Sequence, residues 1–220
     1  MNMYKLIINF KTYKESFSVN GLKIARACKN LESYAQEKGV ELIVCPHIYD
    51  LKDIIKTGVN VYAQHFDLVD FGPHTGHIVP EALKELKVCG SLISHSEDLE
   101  DLEVISKKIA LAKQNGLLTC VCARNDKVVK GIAEYEPDYI AVEPKELIGG
   151  DISISTANPE LILKSIKSAG NVNLLVGAGI KNREDVKIAL KLGAKGILVA
   201  SGIVKSQDPQ ESIKELLEGF

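Results

Sequence analysis

The chain has 220 residues, 45% of them hydrophobic and 25% charged, with a net charge of −2 and a pI near 6.2. That balance supplies core material for one domain of the α/β barrel class or two small ones, and it argues against a nucleic-acid partner, which calls for a basic face. The apolar start, Met1 to Phe10, is short and lacks a small-residue cleavage signal, and no apolar run approaches a membrane span. The expectation is a cytoplasmic protein with no membrane contact.

In chain order, short apolar, β-branched runs alternate with helical patterns. The strand candidates are Tyr4–Phe10, Val40–Cys45, Asn60–Gln64, Cys89–Ser94, Leu117–Cys122, Tyr139–Val142, Asn173–Val176 and Gly196–Val199. Apolar residues at three- and four-residue spacing fill the gaps as helical stripes. The stripes are Ile24, Ala27, Cys28, Leu31 and Ala35; then Leu99, Leu102, Ile105, Ile109 and Ala112; then Ile162, Leu163, Ile166 and Ala169; then Val186, Ala189 and Leu190; and last Ile213, Leu216 and Leu217. Ser96-Glu97-Asp98, Asn158-Pro159, Asn182 and Asp208-Pro209 read as helix starts. Gly39, Gly58, Gly116 and Gly193 stand where helices should end. Cys28, Cys45, Cys89, Cys120 and Cys122 are odd in number and form no C-x-x-C pair, so buried, reduced thiols are the natural reading.

Alternating strands and helices mean parallel strands joined by right-handed crossovers. The count of eight strands, and the lack of G-x-G-x-x-G after the first, favour an α/β, single-domain (β/α)8 barrel over residues 1–220 rather than a doubly wound sheet. A barrel carries its site at the C-terminal ends of its strands. After the first strand, alternation puts Asn9 and Lys11 on one side and Phe10 on the other. After the third come Gln64-His65 and a Gly- and Pro-bearing loop, Gly72 to His77; its His74 and His77 have no evident third metal ligand. After the fourth comes His95, placed just before an expected helix start that would keep its imidazole neutral. After the sixth comes Glu143, an acid at the end of a buried strand, whose pKa should rise into the range of a base. Pro144 and the pair Gly149-Gly150 bracket what reads as a hinged lid. Gly177-Ala178-Gly179 and Ala200-Ser201-Gly202 follow the last two strands, the usual phosphate cradle of such barrels.

Asn9-Phe10-Lys11, Ala63-Gln64, His74-Thr75-Gly76, His95-Ser96-Glu97, Ala141–Gly150 and Gly177-Ala178-Gly179 occur in the order, and near the spacing, found in the triosephosphate isomerase family. The chain resembles the compact archaeal branch of that family along its whole length. The resemblance implies a TIM barrel that interconverts D-glyceraldehyde 3-phosphate and dihydroxyacetone phosphate by proton transfer through an enediolate, with no metal or organic cofactor. It implies Glu143 as the base, His95 as the neutral acid at the carbonyl, and Lys11 as the cation, with Asn9 beside it and Glu97 orienting Lys11 or relaying protons. Ile148, Gly149, Gly179, Ala200 and Ser201 would bind phosphate through backbone N–H groups. Thr75 would sit at the tip of a loop inserted into a partner subunit.

The chain departs from the family pattern where the lid ends Gly149-Gly150-Asp151 and where Ala200-Ser201 stand in place of glycine. The expected assembly is a homodimer, with a tetramer as the alternative. The expected fourth helix, Glu97 to Gln114, carries Glu97, Asp98, Glu100, Asp101, Glu103, Lys107, Lys108 and Lys113, a charged, solvated face ill-suited to an apolar contact. Rival readings are a lyase or synthase on a phosphate-binding barrel, and a barrel that binds a phosphorylated metabolite or a protein without catalysis. The joint presence of Lys11, His95 and Glu143 weighs against both.

Overall fold

The computed structural model describes residues 3–144 and 153–220. Eight parallel strands close on themselves in sequence order: β1 (Tyr4–Asn9), β2 (Val40–Cys45), β3 (Asn60–Ala63), β4 (Gly90–Ile93), β5 (Leu118–Ala123), β6 (Tyr139–Val142), β7 (Asn173–Gly177) and β8 (Gly196–Val199). The strands fall within a residue or so of their predicted bounds, because the apolar runs are also the stretches that lie in the ladder. The helices between them are α1 (Val19–Asn30), α2 (Glu32–Glu37), α3 (Leu51–Ile55), α4 (Pro80–Glu85), α5 (Leu102–Gln114), α6 (Asp126–Ala133), α7 (Ile154–Ala157), α8 (Pro159–Ala169), α9 (Arg183–Lys191), α10 (Ser201–Val204) and α11 (Pro209–Leu217).

The period of two along each strand sorts side chains into two cores. Leu6, Ile8 and Phe10 point outward and meet the inner faces of the helices; Ile7 points inward with Ile43, Cys45, Tyr62, Leu92, Cys120, Cys122, Ala141, Leu175 and Leu198. Each fully buried aliphatic side chain contributes roughly 1.5–3 kcal/mol. The same inward register, continued past the strands, reaches Asn9, Glu143, Gly177 and Ala200, so the alternation that fills the barrel also aims the residues at its mouth. All five cysteines are free thiols, and only Cys89 is not fully buried.

The helix punctuation works as chemistry predicts in three places. The side chains of Asn158, Asn182 and Asp208 accept the N–H groups of Leu161, Asp185 and Glu211. Three expectations are corrected. Ser96 caps no helix: the Ser94 hydroxyl takes the N–H of Glu100, the N–H of Asp98 turns back to the His95 carbonyl at 2.7 Å, and α5 starts only at Leu102 with Leu99 exposed. Leu163 lies off the α8 stripe and is half exposed, while Ser165 takes the buried position. Lys108 is not on a solvated face. It is buried, paired with Glu100, and its ammonium stands 5.4 Å from the ring centre of Phe66.

Candidate active site

At the C-terminal mouth, β1 delivers Asn9 and Lys11. The Asn9 side chain accepts the Lys11 N–H at 2.9 Å, holding Lys11 at φ 48°, a left-handed conformation uncommon for a lysine. Gln64, after β3, donates to the carbonyls of Lys11 at 2.8 Å and Cys45 at 3.1 Å, tying the ends of β1 and β2 together. The Lys11 ammonium is nearly buried and pairs with Glu97 at 2.8 Å.

His95 is buried just past β4, after Ser94 at φ 54° has turned the chain inward. The helix expected right after it starts only at Leu102, so the expected reason for its neutrality is replaced by another. The backbone N–H of Glu97 donates to Nδ1 at 3.2 Å, so Nδ1 carries the lone pair and the ring proton sits on Nε2. Burial disfavours the imidazolium, and the Lys11 charge adds to that; both outweigh the opposing pull of Glu97 and Asp98, and the pKa falls below its ordinary value.

Glu143 follows β6 with its N–H on the Ala123 carbonyl at 2.9 Å, one step beyond the last paired residues of β5 and β6. Its carboxyl is buried. Desolvation pushes its pKa up to about 7, against the opposing influence of Lys11 and of the Cys122 thiol. It fits only because β7 offers Gly177 beside it: a Cβ there would stand 2.5–2.8 Å from the carboxyl carbon, Cγ and Oε1 of Glu143. The Nε2 of His95 and the Oε2 of Glu143 are 3.4 Å apart, and neither has a hydrogen-bond partner among the described residues. Two buried polar atoms left unpaired side by side are costly unless a third group uses them.

Beyond this pair the mouth extends into a cleft lined by Lys11, His95, Glu143, Gly179, Ala200 and Ser201. Ala178 at φ 73° and Gly179 at φ 72° turn the backbone after β7, and the first turn of α10 has N–H groups without intrahelical acceptors. The structure thus brings together Asn9, Lys11, His95, Glu97, Glu143, Gly179, Ala200 and Ser201. Ile148 and Gly149, and the lid segment with Gly150 and Asp151, lie outside the described residues. Among the described residues no cluster of three His, Cys, Asp or Glu side chains could hold a metal.

Sequence reasoning did not find Tyr13 and Lys181, which also line the cleft, nor the roles of Cys122 and Gly177 against Glu143. The inward register of β5 and β7 was the available signal for the last two. A second, larger cavity of about 520 Å³ adjoins the site on the side of β1 to β4, reaching His47 and Ile48. Near it the exposed Tyr49 stacks on the half-buried His47, with the exposed Phe17 edge-on to His47. The loop with Thr75 at its tip is exposed, and closes at its base where Asp67 and Ile78 exchange two hydrogen bonds.

Residues 4–217 match the family model described as triosephosphate isomerase. The chain is 44% identical to the triosephosphate isomerase of Methanocaldococcus jannaschii, over 97% of this chain and 98% of the relative. It is 42% identical to that of Methanobrevibacter smithii, over 99% of both chains, and 40% identical to that of Methanothermus fervidus, over 96% of both.

Proposed function

The chain belongs to the triosephosphate isomerase family, and from that premise we propose that it interconverts D-glyceraldehyde 3-phosphate and dihydroxyacetone phosphate with Glu143 as base and His95 as neutral acid. The observation that carries the assignment of roles is the unpartnered pair, His95 Nε2 and Glu143 Oε2, buried 3.4 Å apart beside Lys11.

The chemistry follows from the environment of each group. A carbon acid next to a carbonyl loses its proton only to a base strong enough to take it. Burial gives Glu143 a pKa of about 7, so a large fraction is ionised at neutral pH while the carboxylate is basic enough to accept the proton. The enediolate oxygens then need a donor, and Nε2–H of a neutral imidazole is matched to them in acidity. Lys11, held by Glu97, places a fixed positive charge at the same mouth. Gly179, Ala200 and Ser201 sit where backbone N–H groups would meet the phosphate, and Ile148 and Gly149 complete that set in this reading. Returning the proton to the adjacent carbon completes the reaction, and none of these steps needs a cofactor.

The assay compares the native chain with Glu143→Gln in isomerisation of D-glyceraldehyde 3-phosphate. Fast native turnover that drops by about three orders of magnitude or more in the variant supports the roles. Native turnover that the variant retains assigns the base elsewhere.

The same reading takes 1–220 as one catalytic domain, working in the cytoplasm as a homodimer through the Thr75 loop; no helix among the described residues is long and apolar enough to cross a membrane. Phe71 on that loop and Tyr49 beside the larger cavity are exposed aromatic surface, 58% and 78% accessible, of the kind a partner covers. Light scattering across concentration tests this: a species of one chain's mass, or of four, at every concentration refutes the dimer.

A further inference from the structure

We propose that Lys108 is a positioning residue for His95: from α5 its buried ammonium clamps, through Glu100 and Ser94, the loop that carries the histidine and Glu97. The inference rests on the isomerase reading above, in which His95 is the acid, and adds a residue that acts only through others.

Three observations carry it. First, the loop stands between regular elements. β4 ends at Ile93 and α5 begins only at Leu102, yet His95 and Glu97 must be held still at the mouth. Ser94 opens the loop at φ 54°, a conformation that persists in a serine only where its neighbours over-determine it. Second, the loop closes on Glu100. The Ser94 hydroxyl accepts the Glu100 N–H at 3.1 Å and lies 3.5 Å from the Glu100 carbonyl, so Glu100 forms the far side of the turn that points His95 inward. Third, Glu100 is itself held from outside the loop. Lys108 is 3% exposed on α5, and its ammonium pairs with the Glu100 carboxylate. The same ammonium stands 5.4 Å from the ring centre of Phe66, two residues beyond Gln64, whose side chain ties down the Lys11 carbonyl. One cation thus meets both the His95 loop and the chain that follows Gln64.

The pair is poorly built for stability alone. Two charges taken out of water recover that cost only when their remaining polar atoms are satisfied. Glu100 Oε2 is buried without a hydrogen-bond partner among the described residues. What the pair does supply is a fixed distance between a helix and the loop before it.

The deciding variant is Lys108→Met with Glu100→Leu, which removes both charges and keeps the volume. Lys108→Met alone leaves Glu100 buried without its cation and should melt well below the native chain, while the double variant should melt close to it. In the double variant KM for D-glyceraldehyde 3-phosphate should stay within about threefold of native and kcat should fall by about tenfold to a hundredfold, the scale of a displacement of up to about 1 Å in a catalytic group. The His95 ring reports the same displacement without turnover. In the native chain its Nδ1 accepts the Glu97 N–H; with 15N-labelled histidine, assigned through His95→Gln, the Nδ1 signal should shift in the double variant. Native kcat in a double variant that melts like the native chain overturns the proposal. So does a lowered kcat beside an unmoved His95 signal, and so does a double variant that melts no better than Lys108→Met, which marks the pair as structural. If the native chain turns over no triose phosphate, the isomerase reading fails; a shifted His95 signal in the double variant then still upholds the clamp, and an unmoved one overturns it.

Discussion

The two ends of the barrel bury polar groups on opposite terms. At the N-terminal floor, Lys5 pairs with Glu41, which also accepts from Asn60 at 2.8 Å, and Lys5 stands 5.6 Å from the ring centre of Tyr139. Asp138 takes both the N–H and the hydroxyl of Thr119. Burial works against the Lys5 charge, but Glu41 and Tyr139 together outweigh it and the pKa ends above its ordinary value. The buried hydroxyl of Tyr62 lacks a partner among the described residues, and it bears no charge. At the C-terminal mouth the Glu143 carboxyl and the His95 ring are buried with atoms unpaired, and Lys11, Ser94 and Ala178 hold positive φ at the strand ends. The floor satisfies its charges and so stabilises the fold. The mouth leaves them unsatisfied and so holds free energy that a bound substrate can release.

Glu143→Gln breaks the comparison hardest, because the group that abolishes activity when lost should stabilise the protein when neutralised. Burial raises the carboxyl from 4.5 to about 7. Between those values the folded chain holds a proton that the unfolded chain has released. Stability credited to this group is therefore full below about 4.5, falls as pH rises, and is gone above about 7. Glutamine has no such proton to lose. The variant should match the native chain near pH 4 and exceed it by on the order of 3 kcal/mol at pH 8. Denaturant melts at the two pH values measure this; an equal difference at both would show that Glu143 is not held as described.

Gly177→Ala sharpens the same end. An added Cβ would collide with the Glu143 carboxyl, and displacing a base by about 1 Å costs roughly 10²-fold in rate. The expected result is a kcat loss of about that size with KM nearly unchanged, since the cleft beyond Glu143 is untouched. A variant with native kcat would mean that the base sits elsewhere when substrate is bound. At the floor the expectation reverses. Lys5→Met leaves Glu41 partly buried without its cation and should cost about 3 kcal/mol of stability, with kcat intact. Loss of kcat without loss of stability would dissolve the distinction between the ends.

The contrast also marks what could be read from sequence. The strands and the inward register were legible because burial on both faces demands unbroken apolar runs, and Asn158, Asn182 and Asp208 were legible because a cap is a local bargain between a side chain and the next turn. Ser96-Glu97-Asp98 carries the same local signal and misled. There the Ser94 hydroxyl and the His95 carbonyl take the N–H groups that a helix would have used, which holds the His95 loop short of α5. Lys108 misled for a similar reason: helical spacing groups it with solvated charges, while its partners, Glu100 and Phe66, lie off the helix. At the mouth the acid, the histidine and the lysine were visible as residue types at strand ends. The glycine that makes room for the acid was not, because its role is a distance between two strands.

The smallest effect concerns Cys122, which points inward from β5 beneath Glu143. Burial and the neighbouring carboxylate push its own pKa well above the ordinary thiol value, so it stays protonated and can donate. That donation favours the ionised carboxylate and draws the Glu143 pKa down, against the larger effect of desolvation. The rate should fall about tenfold per pH unit on the acid side of about 7, where the base is protonated in the free enzyme. Cys122→Ala removes the donor and leaves the desolvation, so the acid limb of kcat/KM should move to higher pH while the plateau rate changes little. A limb that stays in place would show that the thiol fills space without touching the acidity of the base. A limb that moves to lower pH would show that the alanine lets water reach the carboxyl, and that dryness at the mouth depends on the sulfur's bulk.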